Sequence, residues 1–280
     1  MRNPSPDELA PLSGTERIGF ALANWINRYL RGATQLWNRL FGLNIIAICG
    51  GRRIRPHGLE NIANLNRKHR LVMVANHRSF FDYFVIMRVN LTRANISSRM
   101  LFPVRSKFFY THPIGWVVNL FLSGMTMFPP IMRHSTKRDF NRYALERMIA
   151  ELRVDGTVLG FHPEGTRNKS PDPYTLLPPK AGIGRLLLEV DDDVTFVPIY
   201  VYGISNNLLN EAWRNWTKPN QYPIHVVYGP PIDTTPFQGL EPTKANALVA
   251  AQGCLDAIQS TIQRHRIQQE GESSKTSLLH

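Results

Sequence analysis

The chain has 280 residues, 43% of them hydrophobic, which is enough for one large core or for one domain with an appendage. Its 33 Lys and Arg against 21 Asp and Glu give a net charge of +12, which predicts an anionic partner such as nucleic acid, an anionic membrane surface or a phosphorylated substrate. The two cysteines, Cys49 and Cys254, form neither a disulfide framework nor a metal pattern and predict a reducing compartment, and the polar start predicts no signal peptide.

The first predicted unit, residues 1–42, is a basic, aromatic and helical segment. From Ile18 to Gly42, apolar residues recur with roughly helical spacing and arginines lie among them, and Gly32 is predicted to divide the stretch into two helices. Tryptophans and arginines on an amphipathic helix are typical of a segment that lies on a membrane, and the arginines are too many for a span. The alternative is a helical hairpin packed on the surface of its own domain.

The second predicted unit, residues 43–266, is the main domain, and 267–280 is predicted to be a disordered polar tail. Leu43 to Leu59 is interpreted as strand structure that leads into the domain. Leu71 to Ala75 is an uninterrupted apolar run, as expected of a strand buried on both faces of a parallel sheet.

His77 follows that strand directly, on the turn before a helix that Ser79 is predicted to cap. Asp82 lies in the first turn of this helix, where its carboxylate can fix the tautomer of His77 and leave the other ring nitrogen free as a base. The alternative is structural, because Ser79 and Asp82 also form a capping box and His77 can be an ordinary loop histidine.

Helical and strand patterns alternate through the rest of the domain, which predicts a single α/β domain with a largely parallel central sheet flanked by helices. The stretch 114–132 is predicted to be a buried helix followed by a strand, and a role in dipping into a membrane or lining an acyl chain stays open. The other predicted elements are helices at 140–153 and 242–266, a helix that residues 178–182 open and that runs through Glu189, and strands at 157–161, 194–202 and 224–228.

A second polar loop, His162 to Arg167, follows the strand at 157–161. Loops that follow neighbouring parallel strands emerge at one edge of the sheet, so this loop and His77 are predicted to share a cleft. Arg167 suits bidentate capture of a phosphate, and Gly165 allows close approach of backbone to a ligand. Lys107 and Arg133 are further cations near strand ends, each of which is otherwise a solvated surface charge.

Several classes of site are absent from the sequence. It contains no G-x-S-x-G, no Walker A, no G-x-G-x-x-G after a strand and no H-E-x-x-H. No third ligand is placed by spacing beside His77 and Asp82, so no metal is predicted. The basic residues are scattered rather than arranged as a recognition motif, so no nucleic-acid partner is predicted.

Residues 76–82, N-H-R-S-F-F-D, resemble the N-H-x-S-x-x-D block of the glycerolipid acyltransferases, the family of 1-acylglycerol-3-phosphate acyltransferases. Residues 163–167, P-E-G-T-R, resemble the F-P-E-G-T-R-S block of that family, residues 197–199 its V-P-I block, and Arg133 fits the arginine that ends another block. The similarity runs from about 58 to 229. His162 stands where the family usually has Phe, and Asn168 where it usually has Ser.

The resemblance implies transfer of a fatty acyl group from acyl-CoA or acyl-carrier protein to the hydroxyl of a lysophospholipid, with no cofactor and with peripheral association to the cytoplasmic face of a membrane. It implies that His77 is the base, oriented by Asp82, in a direct transfer without an acyl-enzyme. The residues assigned to substrate binding are Lys107, Arg133, Glu164, Gly165, Thr166 and Arg167. The alternatives are another lysolipid or aminolipid acceptor, and a non-catalytic lipid-binding protein with the same fold.

Overall fold

A mostly parallel sheet forms the centre of the protein in this computed structural model, which describes residues 1–132 and 134–277. Within those residues, six strands make the main sheet in the order β1-β8-β7-β2-β6-β3, and β4 and β5 pair separately. All pairs are parallel except β7 with β8. The strands are β1 (Ile54–His57), β2 (Leu71–Ala75), β3 (Arg99–Leu101), β4 (Val104–Arg105), β5 (Pro130–Ile131), β6 (Thr157–Phe161), β7 (Thr195–Tyr202) and β8 (Ile224–Tyr228).

The centre of the sheet follows from the apolar pattern of β2. No residue of this strand is more than 1% exposed, because β6 and β7 flank it in the sheet and helices cover both faces. The parallel register places Val74 beside Phe161 and Pro198, so the loops after β2 and β6 leave the same edge. The predicted α/β class with a largely parallel sheet is confirmed.

Eleven α-helices surround the sheet within the described part of the chain, joined by short 3₁₀ and π turns. They are α1 (Pro6–Leu9), α2 (Gly14–Tyr29), α3 (Arg31–Trp37), α4 (Leu43–Ile46), α5 (Asp82–Val89), α6 (Ser106–Phe109), α7 (Pro113–Ser123), α8 (Arg138–Leu152), α9 (Ala181–Glu189), α10 (Leu208–Thr217) and α11 (Lys244–Ser277). The backbone of α11 continues past the predicted end at Arg266, because residues 267–270 (I-Q-Q-E) contain no helix breaker. The last part of the predicted tail, 278–280, lies outside the described residues.

The segment that precedes β1 is helical, and the prediction of strand structure from Leu43 to Leu59 is wrong over most of its length. Residues 43–46 form α4, π turns occupy 38–42 and 47–51, and the strand begins only at Ile54. Leu43, Ile46 and Gly50 are the buried positions, which is helical spacing. The isoleucines favour strands by propensity, and tertiary packing overrides that preference.

The N-terminal helices pack into the core of the domain. Phe20 of α2 is buried against the rings of Phe128 and Phe140. Asn27 donates a hydrogen bond to the Met125 carbonyl at 2.8 Å and accepts one from Arg99 at 3.0 Å. Residues 1–42 and the sheet therefore share one core, and the break between α2 and α3 falls at Leu30, two residues before the glycine predicted to cause it.

The apolar stretch 114–132 forms α7 and then β5, as predicted, but the helix is not buried. Ile114, Val117 and Phe121 are 61%, 52% and 56% exposed, whereas Asn119 and Ser123 on the opposite face are buried. These inward-facing polar groups bond each other: Ser123 Oγ lies 2.8 Å from the Asn119 backbone carbonyl and 2.7 Å from its side-chain oxygen, which share its hydroxyl proton. Of the helices that the structure describes, none is both long enough and apolar enough to cross a membrane.

Candidate active site

The loops after β2 and β6 meet at one edge of the sheet, and they are joined through the backbone of His77. Its N–H donates to Glu164 Oε1 at 2.7 Å, and its carbonyl accepts from the N–H of Asn168 at 2.6 Å. Glu164 Oε2 accepts from the N–H of Leu177 at 2.9 Å, so both oxygens of this fully buried carboxylate bind backbone. Glu164 is therefore a brace between segments, and its direct part in acceptor binding stays a prediction.

The imidazole of His77 faces the carboxylate of Asp82. Nδ1 of His77 lies 3.3 Å from Oδ2 of Asp82, which also accepts from the N–H groups of Arg78 and Ser79 at 2.8 Å each. The helix begins at Asp82 and not after Ser79, so the prediction that Ser79 caps it is wrong. Ser79 Oγ instead donates to the Ser205 carbonyl at 3.0 Å, because the loop after β7 packs against this turn.

His162, which sequence reasoning did not place in the site, lies flat against His77. The two rings have centroids 4.0 Å apart and planes 7° apart. His162 Nδ1 is 2.9 Å from the Ala75 carbonyl, which fixes the ring and directs Nε2 inward, where it is buried with no hydrogen bond among the described residues. The only signal for His162 in the sequence is its position in the family block, where the family usually has Phe and this chain has another flat ring.

Burial sets the charge state of the site. It lowers the pKa of His77 to about 4, with help from the nearby charge of Arg167, and it lowers the pKa of His162 to about 3. Burial also raises the pKa of Asp82 to about 6, against the opposing effects of His162 and of two backbone N–H groups. At neutral pH the site therefore holds two neutral imidazoles and one carboxylate, which is the state that a histidine base requires.

Three ligand atoms that a metal ion could use converge here, one each from His77, Asp82 and His162, all within 4.8 Å of one another. Spacing along the chain could not reveal this set, because His162 lies on a different loop. The same contacts suit a base with a fixed tautomer, since the carboxylate of Asp82 is directed at Nδ1 of His77.

Arg167 and Gly165 lie on the loop as predicted, and an additional arginine joins them. Gly165 adopts a φ of +60°, and its carbonyl accepts from the guanidinium of Arg105. Arg167 is exposed and donates to Asn206 Oδ1 at 3.1 Å, beside the turn that carries His77. Arg105 was missed because it resembles any surface arginine in the sequence, two residues before Lys107.

The remaining predicted binding residues are less closely tied to the loop. Thr166 is half-buried between Gly165 and Arg167. Lys107 is exposed on α6 and makes no hydrogen bond to either loop within residues 1–132 and 134–277 through its side chain. Arg133 lies outside the described residues.

A histidine–aspartate pair at the carboxyl edge of parallel strands, with cations beside it, is typical of an α/β enzyme with an acid–base site. A model of the Acyltransferase family matches residues 53–202, which extend from β1 to the end of β7 and include both loops. This match covers more than half of the 280 residues, and the chain belongs to the Acyltransferase family. The predicted class of enzyme, an acyltransferase, is confirmed, and the lysophosphatidate subtype stays a prediction.

Proposed function

We propose that this protein moves a fatty acyl group from an acyl thioester, acyl-CoA or acyl-carrier protein, to the free hydroxyl of 1-acylglycerol-3-phosphate, and so makes phosphatidic acid in phospholipid biosynthesis. Membership of the Acyltransferase family supports acyl transfer. The observation that carries the proposal is the 3.3 Å contact between His77 Nδ1 and Asp82 Oδ2, next to the loop of Arg167. This arrangement places a base that can take the proton of a hydroxyl beside a cation that can bind a phosphate.

In the proposed reaction, Nε2 of His77 takes the proton of the acceptor hydroxyl as its oxygen attacks the thioester carbon. Asp82 stabilises the imidazolium that forms. The C–O bond is made, the C–S bond breaks, and the proton passes from His77 to the leaving thiolate. Holding both substrates together supplies a large part of the rate enhancement, and no acyl-enzyme is needed.

The oxyanion of the tetrahedral intermediate needs hydrogen-bond donors. The N–H of Gly165 already donates to the His162 carbonyl at 3.0 Å. The backbone N–H groups of Thr166 and Arg167 make no hydrogen bond within the described part of the chain, and we assign the oxyanion to them.

The acceptor phosphate is proposed to bind Arg167, with Lys107 and Arg133 as further cations. The guanidinium of Arg167 is exposed and, among the residues that the structure describes, hydrogen-bonded only to a neutral amide, so its other N–H groups can form a bidentate contact. Arg105, held on the Gly165 carbonyl, fixes the backbone of the same loop.

A lipid surface is the proposed partner on the cytoplasmic side of a membrane. Trp37 stacks on Phe41 at 4.2 Å and meets Phe121 of α7 at 5.9 Å, which joins exposed apolar side chains of the N-terminal helices and α7 into one surface. Of the arginines in this helical segment, Arg17, Arg28 and Arg31 bond other residues of the protein, whereas Arg39 is exposed. Apolar contact is thus the main support for the proposal.

A thiol-release assay with palmitoyl-CoA and a panel of lysolipids tests the proposal, comparing wild type with His77→Ala and with His134→Ala, an exposed histidine outside the site. We expect turnover with lysophosphatidate that falls about 10²–10⁴-fold in His77→Ala only. Turnover with a different lysolipid alone would change the identity of the proposed acceptor and leave the proposed mechanism unchanged. Silence with both CoA and acyl-carrier-protein donors would favour a non-catalytic lipid-binding protein.

A further inference from the structure

A second cluster of side chains lies apart from the active site, where β1, β8 and α11 meet. His57 Nε2 of β1 lies 3.0 Å from His225 Nδ1 of β8, and the ring of His265 on α11 has its centroid 4.6 Å from that of His57 and 5.5 Å from that of His225. One ring nitrogen of each histidine lies within 4.8 Å of the other two. Three imidazoles from distant parts of the chain thus converge on one point.

We propose that His57, His225 and His265 form a binding site for a single zinc ion, with water or a nearby oxygen in a fourth position. Imidazole nitrogen suits zinc and other late transition metals, whereas magnesium and calcium require oxygen ligands, of which this cluster has no carboxylate. Tetrahedral Zn–N bonds of 2.0–2.1 Å place ligand nitrogens about 3.3 Å apart, so the His57–His225 pair is already close to the required separation. The ligand nitrogen of His265 lies within 4.8 Å of the other two, so a small shift of its ring would complete the set.

The polar atoms around His265 support a ligand at this point. Its side chain is 1% exposed, and Nδ1 is buried with no hydrogen bond among the residues that the structure describes. A buried polar atom without a partner is costly, and a bound metal ion would satisfy it. Nε2 lies 3.3 Å from the Tyr202 hydroxyl, which can hold the ring orientation in the way that outer partners orient metal-binding histidines.

The position of the site indicates what the metal would do. His57 lies on the edge strand β1 and His225 on its neighbour β8, and His265 lies in the long closing helix, which packs mainly on α9 and β7. A zinc ion would connect α11 to the edge of the sheet and stabilise the folded state, because the unfolded chain does not hold the three rings together. The site is therefore structural and does not depend on the acyl-transfer proposal.

The test uses the full chain, stripped of metal with EDTA and titrated with Co²⁺, whose visible absorption reports tetrahedral nitrogen coordination. We expect one Co²⁺ per chain, displaced by Zn²⁺. His57→Gln and His265→Gln should weaken binding by about 10- to 100-fold or more, since the loss of even an outer partner costs that much. His57 is half-buried, and glutamine can still bond the His225 ring, so this variant should fold.

Two controls make the test specific. His134→Gln removes an exposed histidine outside both clusters, and His162→Gln removes the third candidate ligand of the active site; both should bind Co²⁺ as wild type does. Zn²⁺ should raise the Tm of wild type and His134→Gln but not of His57→Gln. No Co²⁺ binding by the wild type, or binding that is lost in His162→Gln and kept in His57→Gln and His265→Gln, would overturn the proposal.

Discussion

At Asp82, the charge that the proposed mechanism needs lowers the stability of the folded protein. Its carboxylate is fully buried, and Oδ1 has no hydrogen-bond partner in the described chain, yet the proposed mechanism needs it ionised. Burial raises its pKa from 3.8 to about 6, so keeping the charge at neutral pH costs up to about 3 kcal/mol of folding free energy. Such a cost is expected where a side chain serves function rather than stability.

We predict that Asp82→Asn raises the free energy of unfolding at pH 7.5, by up to about 3 kcal/mol, while turnover falls at least about 100-fold. The folded-state pKa of Asp82 is raised, so its favourable contribution exists below about pH 4 and is lost as pH rises through about 6. The advantage of the variant should therefore vanish towards pH 4. Urea unfolding at several pH values measures it, with the exposed Asp192→Asn as control; a variant less stable at pH 7.5 would contradict the argument.

The same two groups predict the pH dependence of catalysis. The base must be unprotonated, and both the lowered pKa of His77, about 4, and the raised pKa of Asp82, about 6, lie below neutrality. We expect kcat/KM to be flat between pH 7 and 8 and to fall below about pH 6 as the pair takes up a proton. Initial rates of thiol release across this range give the profile, and an acid limb centred above pH 7 would show that the free enzyme has a different base.

At the scale of elements, the sequence predicts the strands whose burial follows from their own residues. It does not predict the contacts between loops that follow neighbouring strands. The strands at 71–75 and 157–161 were found to the residue, because apolar runs buried on both faces are distinctive. The contact of Glu164 with the backbone of His77 joins residues 87 positions apart, and the contact of His162 with His77 joins residues 85 positions apart. No local pattern encodes such pairs, so motifs can nominate candidate site residues but cannot predict these contacts between them.

Glu164→Gln tests the brace between the loops. An amide can accept from only one of the two N–H groups, those of His77 and Leu177, and it places a donor against the other. We expect the free energy of unfolding to fall by about 1–3 kcal/mol and kcat to fall with little change in the KM for lysophosphatidate, since the base is displaced rather than the acceptor contacts. The change Glu60→Gln, at an exposed glutamate, is the control, and a rise in KM alone would instead place Glu164 on the acceptor.

At the scale of the whole molecule, the N-terminal helices have one side buried in the core and another side that carries exposed apolar residues. Phe20 and Asn27 are buried in the core, so deleting residues 1–42 would disturb the fold as well as any lipid contact. The outward side carries exposed Trp25 and Leu36, and α7 continues it with Val117. Point substitutions on that side separate the two roles, which a deletion cannot.

We predict that Ile114→Glu with Val117→Glu lowers the fraction of protein that pellets with anionic liposomes, because two charges replace the side chains proposed to enter the lipid. The Tm and the turnover of a water-soluble, short-chain acyl thioester should stay as in wild type, since both residues are exposed. Val249→Glu, an equally exposed position on α11, is the matched control. Undiminished pelleting of the double variant would remove α7 from the membrane-binding surface.

The hydrogen bonds that hold His77 from both sides have a consequence for the newly made chain. The β2 strand emerges long before the loop that supplies Glu164 and Asn168, so during synthesis the backbone of His77 has neither of these bonds until β6 and its loop have joined the sheet. An incomplete chain therefore carries the histidine but not an organised base. On the proposed mechanism, nascent or truncated copies should therefore leave acyl thioesters intact.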